Sequence, residues 1–97
     1  MTTPTIDAIQ LTAEDNVATM LRAVRQGEEF NVKGPDGIKP YAAAEPLPLC
    51  HKLALEPMKA GVQVRKYGKS IGTLTTSVAR GALVHVHNMA SNRGRQR

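Results

Sequence analysis

Two histidines near the end of the chain are spaced so that both could contact one ligand. His85 and His87 flank a single valine in GALVHVHNM, residues 81–89, and Asn88 follows at once. In a strand, alternate side chains share a face, which would place the two imidazoles about 7 Å apart at their bases. Both are therefore candidate catalytic groups or metal ligands, although two ligands do not complete a metal site. Histidines on an ordinary edge strand are the alternative interpretation.

A second polar group interrupts an apolar stretch in the middle of the chain. His51 and Lys52 follow Cys50 in LPLCHKLAL, residues 47–55. An imidazole with an ordinary pKa of about 6.5 suits proton transfer, and an ammonium suits a substrate carboxylate. A catalytic or anion-binding loop is one interpretation, and a solvent-exposed bend is the other. We interpret Cys50 as a small packed residue, because no helix N-terminus is evident that would lower its pKa.

Basic residues and glycines are interspersed in RKYGKSIG, residues 65–72. The segment superficially suggests a phosphate-binding loop, but it lacks the GxxxxGK[ST] spacing of that motif. Nucleotide binding is therefore rejected, and a glycine-turned hairpin with basic edges is predicted.

Size and charge limit the classes of protein to consider. The chain has 97 residues, which suits a single domain, and its 41% hydrophobic but 3% aromatic content predicts a thin aliphatic core. A domain of this size often obtains part of its burial from a partner. Residues 1–49 hold four Lys/Arg and seven Asp/Glu (−3), whereas residues 50–97 hold nine and one (+8). The basic half suits an anionic substrate, an acidic partner or nucleic acid. The three scattered aromatic residues do not favour nucleic acid.

The expected location is the cytoplasm. Cys50 is the sole cysteine, so no intramolecular disulfide can form, and a reducing compartment is natural. The segment MTTPTIDAIQ has neither the basic nor the apolar region of a signal peptide. No apolar run approaches the roughly 20 residues that cross a bilayer.

One amphipathic helix is predicted near the N-terminus, within residues 12–29. Thr12 and Asp15 read as a capping box, and Gly27 is the expected stop. A short strand is expected before it, around residues 6–11. The apolar stripe at helical spacing consists of Val17, Met20, Leu21 and Val24.

The rest of the chain predicts short strands between glycine turns. Four prolines within residues 33–49 exclude long helices and central strands there, and GPDG is a turn signal. A weak repeat relates MKAGVQV (58–64) to VARGALV (78–84), and VRQGEEF (24–30) more loosely. We predict a mostly β, compact barrel-like or clip-like domain with one helix over residues 1–90, followed by a basic, disordered tail at 91–97.

Four short motifs together resemble one known family. They are, in family order, DNVATML (15–21), CHKLAL (50–55), KYGKSIG (66–72) and VHVHN (84–88). On these motifs the chain is similar to the SAF-type domain of the altronate and galactarate dehydratases, which also exists separately as the small subunit of sulfolactate sulfo-lyase. The resemblance covers about residues 9–90.

The resemblance implies a β-clip fold and a lyase subunit acting on a sugar acid or related 2-hydroxy acid. The reaction would remove a proton beside a carboxylate and expel hydroxide or sulfite. It also implies a larger catalytic subunit and a divalent metal, typically iron, held mainly by that subunit. Candidate catalytic residues are His51, Lys52, His85 and His87, with His85 and His87 also the metal candidates, and candidate substrate-binding residues are Asn16, Lys66 and Asn88.

Two positions depart from the family pattern. Thr12 stands where the family usually has histidine, and Cys50 where it usually has glycine before His-Lys. The first change removes a candidate ligand or base, and an N-cap role for Thr12 would explain it structurally. A non-catalytic SAF-type module that binds acids or carbohydrates, or regulates, is therefore the alternative function. Homo-oligomerisation is a further option, and nucleic-acid binding through residues 59–97 is a third hypothesis, which predicts steeply salt-dependent affinity.

Overall fold

In the computed structural model of the chain, residues 5–91 are described, and they form nine short strands in two sheets. A six-stranded sheet has the order β4-β3-β1-β2-β5-β8, and a three-stranded sheet has the order β6-β7-β9. All pairs are antiparallel except β1 with β3. The strands are β1 (Ala8–Ile9), β2 (Val17–Met20), β3 (Glu29–Gly34), β4 (Gly37–Ala42), β5 (Lys52–Ala54), β6 (Gln63–Lys66), β7 (Lys69–Leu74), β8 (Leu83–Val84) and β9 (Met89–Ser91).

The predicted N-terminal helix is wrong. No helix occurs in residues 5–91, and the centre of the expected helix is strand β2, hydrogen-bonded between β1 and β5. Leu21, which the helical stripe would bury, is 49% exposed, whereas Ala18, which it would expose, is buried. Because apolar cores cover both faces of β2, its buried residues imitate a helical spacing, and tertiary packing decides the structure. The mostly β prediction is confirmed.

Two apolar cores lie on opposite faces of β2. Ala18 and Met20 contribute to the first core, while Val17 contributes to the second, which packs the two sheets together. The first core also contains Val24, Phe30, Val32, Leu47 and Leu53, and the second also contains Ala54, Met58, Val64, Leu74, Val84 and Met89. This alternation follows from the two-residue period of a strand.

Two hairpins carry the predicted turns. GPDG joins β3 to β4 with Gly34 paired to Gly37. Strand β4 lies at a sheet edge and contains Pro40, in agreement with the expected exclusion of central strands from this region. Strands β6 and β7 form the predicted basic hairpin, whose turn residues Tyr67 and Gly68 both have positive φ (58° and 76°), as a type I′ turn requires.

The same backbone corner occurs four times. Each corner starts at a residue that makes one isolated bridge, passes through a two-residue turn and ends in a strand. Val24 bridges Leu47, and Met58 bridges Val78, each through two backbone hydrogen bonds. The corners are residues 24–30, 47–53, 58–64 and 78–84.

A left-handed residue completes every corner. It occupies the second turn position and has a positive φ in Gly27 (82°), Cys50 (69°), Gly61 (94°) and Gly81 (84°). The repeat predicted from residues 58–64 and 78–84 is thereby confirmed, together with the looser copy at 24–30. The corner at 47–53 was missed, because Cys50 replaces the glycine by which the other copies are recognised.

Part of the predicted organisation lies outside the described residues. The predicted basic tail falls there from residue 92 onward, as do residues 1–4. Within residues 5–91, the structure contains no helix long and apolar enough to span a membrane.

Candidate functional site

The ends of two paired strands bring two of the three histidines together. Lys52 and Leu53 of β5 pair with Val84 and Leu83 of β8, so the next opposed pair along this ladder is His51 with His85. Their ring centroids are 4.5 Å apart, with the planes inclined by 47°. The contact therefore follows from the antiparallel register, although the two residues are 34 positions apart in the sequence.

Each imidazole has a defined chemical environment. Nδ1 of His51 lies 3.0 Å from the carbonyl oxygen of Leu49, which can only accept a hydrogen bond, so Nδ1 carries a hydrogen, and in the neutral ring Nε2 has the lone pair. Partial burial lowers the pKa of His85 below its ordinary value of 6.5, and the charges of His51, Lys52 and His87 lower it further. His85 is therefore neutral at neutral pH and can accept a proton.

The predicted strand through His85 and His87 is wrong. Strand β8 ends at Val84, and residues 85–88 form a turn in which the Asn88 backbone N–H donates to the His85 carbonyl (3.1 Å). The Asn88 side chain closes this turn, accepting from the His85 N–H (2.9 Å) and donating to the Leu83 carbonyl (2.8 Å). A turn removes the shared face, and His87 is exposed, while Asn88 is buried.

Two lysines, one from each sheet, lie on the side of β5 that faces away from the histidine pair. Lys52 is opposed in register to Thr19 on β2 and to Val84 on β8, so these three side chains share the face that carries the second core. Lys66 follows buried Val64 by two residues on β6 and faces the same core. Burial lowers the pKa of Lys52, and the neighbouring charge of Lys66 lowers it further. The histidine and lysine pairs therefore occupy two faces, within electrostatic reach of each other.

Asn16, predicted to bind substrate, has both ends of its amide engaged with the backbone of β6. Its Nδ2 donates to the Gln63 carbonyl (2.9 Å), and its Oδ1 accepts from the Arg65 N–H (2.8 Å). These bonds fasten β6 beside β2 and so determine where Lys66 lies. The substrate-binding roles of Asn16 and Asn88 remain predictions, while their structural roles are direct.

Asp15 holds the turn beyond Lys66, a role that the capping-box interpretation missed. Its carboxylate accepts hydrogen bonds from the N–H groups of Tyr67 (3.0 Å) and Gly68 (2.8 Å), and from the Thr12 hydroxyl (2.8 Å) and N–H (3.2 Å). Burial acts to raise the pKa of Asp15, but the hydrogen bonds from Gly68, Thr12 and Tyr67 together lower it. Thr12 and Asp15 therefore form a loop before β2 whose carboxylate also holds the turn between β6 and β7.

The residues of this site do not fit a divalent metal by themselves. Residues 5–91 contain no group of three or more His, Cys, Asp or Glu side chains that could hold an ion. The His51–His85 pair offers two nitrogens, and the nearby ammonium of Lys52 opposes a cation. A metal contact of His85 or His87 would need further ligands from outside residues 5–91, and it stays a prediction.

Comparisons with known proteins agree with the motifs. Residues 6–92 match the family described as the altronate/galactarate dehydratase SAF domain. The chain is 30% identical to altronate dehydratase of Bacillus subtilis (strain 168) and 33% identical to that of Escherichia coli (strain K12), in each case over 84 residues, 87% of this chain. It spans only 16% of the length of either enzyme.

A second kind of relative is a separate enzyme subunit, and this chain covers nearly all of one such subunit. The (2R)-sulfolactate sulfo-lyase subunit alpha of Chromohalobacter salexigens is 30% identical over 91 residues, which cover 91% of this chain and 97% of that subunit. The same subunit of Paracoccus pantotrophus is 40% identical over 47 residues, 48% of this chain and 70% of that subunit.

Proposed function

The chain belongs to the altronate/galactarate dehydratase SAF-domain family, and on that premise we propose that it is a small subunit of a cytoplasmic lyase acting on a sugar acid or related 2-hydroxy acid. It would complete an active site with a separate, larger subunit. The observation that supports this proposal most directly is the contact between the His51 and His85 rings beside Lys52. A relative named as a lyase subunit, of which this chain covers 97%, supports the subunit arrangement.

The side chains of this site suit elimination next to a carboxylate. A neutral imidazole of the His51–His85 pair would take the proton from the carbon beside the substrate carboxylate, and the C–H electron pair would become the new C=C bond. The substituent on the neighbouring carbon would leave with its bonding pair, as hydroxide or sulfite. The Lys52 and Lys66 ammonium groups would stabilise the negative charge that develops on the carboxylate.

The divalent metal, expected to be iron, is assigned to the larger subunit, because the described residues of this chain do not hold one by themselves. A metal in such a lyase supplies Lewis-acid stabilisation of substrate oxygens. The contribution proposed for this chain is limited to proton transfer and anion binding.

Co-expression with the larger subunit tests the proposal. We expect the purified 97-residue chain to be inactive alone and to give lyase turnover only in the complex. His51→Ala and His85→Ala should each reduce kcat at least 100-fold, as expected for loss of a general acid or base. His87→Ala should cost less than about tenfold, because this exposed residue acts on His85 only through its charge.

A matched pair of lysine variants provides the control. Lys52→Met should abolish turnover, whereas Lys33→Met removes an exposed lysine from β3 and should leave kcat and KM unchanged. Full turnover in complexes carrying both His51→Ala and His85→Ala would refute the assignment of these residues.

The non-catalytic module is the second candidate, and Thr12 is the observation that favours it. The Thr12 hydroxyl stands where the family usually has histidine, and it is engaged with Asp15. This alternative predicts that a complex or the chain alone binds a 2-hydroxy acid without turning it over. Isothermal titration combined with a product assay on the same sample distinguishes the two.

A further inference from the structure

Thr19, in the middle of β2, has a buried hydroxyl without a partner. Its Oγ1 is shielded from solvent and makes no hydrogen bond, the only such side-chain atom within residues 5–91. The great majority of buried hydroxyl groups are hydrogen-bonded, because leaving one unpaired in a protein interior is costly. The unpaired hydroxyl of Thr19 therefore needs an explanation, and a bound ligand is one.

The register of the sheet defines what Thr19 faces. It is paired with Ile9 on β1 and with Lys52 on β5, and directly opposed residues lie with their Cβ atoms about 5 Å apart on one face. The Ile9 side chain has no polar atom, so Lys52 is the polar neighbour across the ladder. Within residues 5–91, no hydrogen bond or ion pair reaches the Lys52 ammonium.

A second ammonium, that of Lys66, completes the arrangement, and it forms no ion pair within residues 5–91. Lys66 is close enough to lower the pKa of Lys52, and its own Nζ lies 4.8 Å from the Tyr67 ring centroid. The ion pairs of the described residues involve Arg22 with Asp7 and Glu28, and neither lysine. Asp15, which holds the next turn, has its carboxylate occupied by backbone and hydroxyl donors.

We infer that Thr19 Oγ1, Lys52 Nζ and Lys66 Nζ form a seat for one oxyanion group of the substrate, a carboxylate or a sulfonate. The two ammonium groups supply charge, and the hydroxyl supplies a directional hydrogen-bond donor to one anion oxygen. Thr19 is thus a substrate-binding residue that the sequence alone did not reveal. The inference rests on the proposed function for the identity of the ligand.

Anion titration of the whole chain tests this seat without any lyase assay. Backbone amide shifts would be followed by NMR during addition of sodium sulfate and, separately, sodium glycolate, with sodium chloride at matched ionic strength as the baseline. Saturable shifts are expected on β2, β5 and β6. The anion that binds more tightly indicates whether the seat prefers a sulfonate-like or a carboxylate group.

Two variants of Thr19 isolate the hydroxyl. Thr19→Val keeps the shape and removes the donor, and we expect about tenfold weaker binding of both anions, with thermal stability at or above that of the wild type. Thr19→Ser keeps the donor and should bind within about twofold of the wild type. Unchanged affinity in Thr19→Val, or no saturable shift in the wild-type chain, overturns the inference.

The outcome is separable from that of the proposed function. If sulfate or glycolate binding depends on Thr19 but the two-subunit complex shows no turnover, the seat stands and the lyase proposal fails. If the complex is active and Thr19→Val retains wild-type anion affinity, the lyase proposal stands and the seat is wrong.

Discussion

The corners at residues 47–53 and 58–64 have the same backbone but different side chains. In both, an apolar residue makes the bridge, a left-handed residue ends the turn, and a strand follows. Where the corner at 58–64 has Gly61 and Val62, the corner at 47–53 has Cys50 and His51. The candidate site therefore occupies one copy of a repeated backbone corner and differs from another copy only in its side chains.

The presence of Cys50 instead of glycine at this corner strains the backbone. Cys50 adopts a φ of 69°, a region that side chains with a Cβ rarely occupy. Such strain tends to collect at functional positions, where the surrounding structure imposes it. The strained residue here directly precedes His51, one of the two histidines in contact.

The largest change in stability is expected at Gly81, where the turn residue has a positive φ and is also closely surrounded by backbone atoms. A Cβ on Gly81 would lie 2.3 Å from the Ala42 carbonyl oxygen, so Gly81→Ala should lower the free energy of unfolding by about 3 kcal/mol. Gly61→Ala meets nothing within 4 Å and should cost only about 1 kcal/mol. Urea unfolding monitored by circular dichroism measures both. Equal losses would mean that the corners are not distinguished by packing.

A smaller change in stability, of opposite sign, is expected at Cys50 in the candidate site. Cys50→Gly removes the left-handed strain and should raise the free energy of unfolding by about 1 kcal/mol, after allowing for the greater freedom of glycine in the unfolded chain. Gly61→Cys, the reciprocal change, should lower it by a similar amount. If Cys50→Gly destabilises the chain, Cys50 makes a favourable contact that outweighs its φ.

The smallest expected change is the loss of stability on lowering the pH. Because the pKa of His85 is lowered in the folded protein, the unfolded chain takes up this proton first as the pH falls below about 6.5. Stability should therefore be full above that pH and decline below it. Urea midpoints at pH 7.5 and 5.5 should show less decline in His85→Gln, whereas His87→Gln should retain most of it. An identical slope in His85→Gln and the wild type would contradict the proposed environment of His85.

Local sequence patterns predicted the turns, whereas the other features depend on which strands pair and in what register. GPDG and the basic glycine turn were recognised because proline and glycine restrict or extend φ at single positions. The helix was predicted wrongly because burial on both faces of β2 cannot be distinguished from a helical stripe without knowing its neighbours. His51 and His85 were identified individually, but their contact depends on the register of β5 and β8. Thr19 gave no signal, since only the ladder places it opposite Lys52.

Strand β8 is the last strand of the six-stranded sheet and contains two residues. The imidazole pair at its end therefore lies at an edge of this sheet, away from the strands that carry most of the first core. A second polypeptide can enclose this boundary without disturbing β1 to β4. Substitution of His51 or His85 should therefore remove the imidazole contact without unfolding the strands that carry most of the first core.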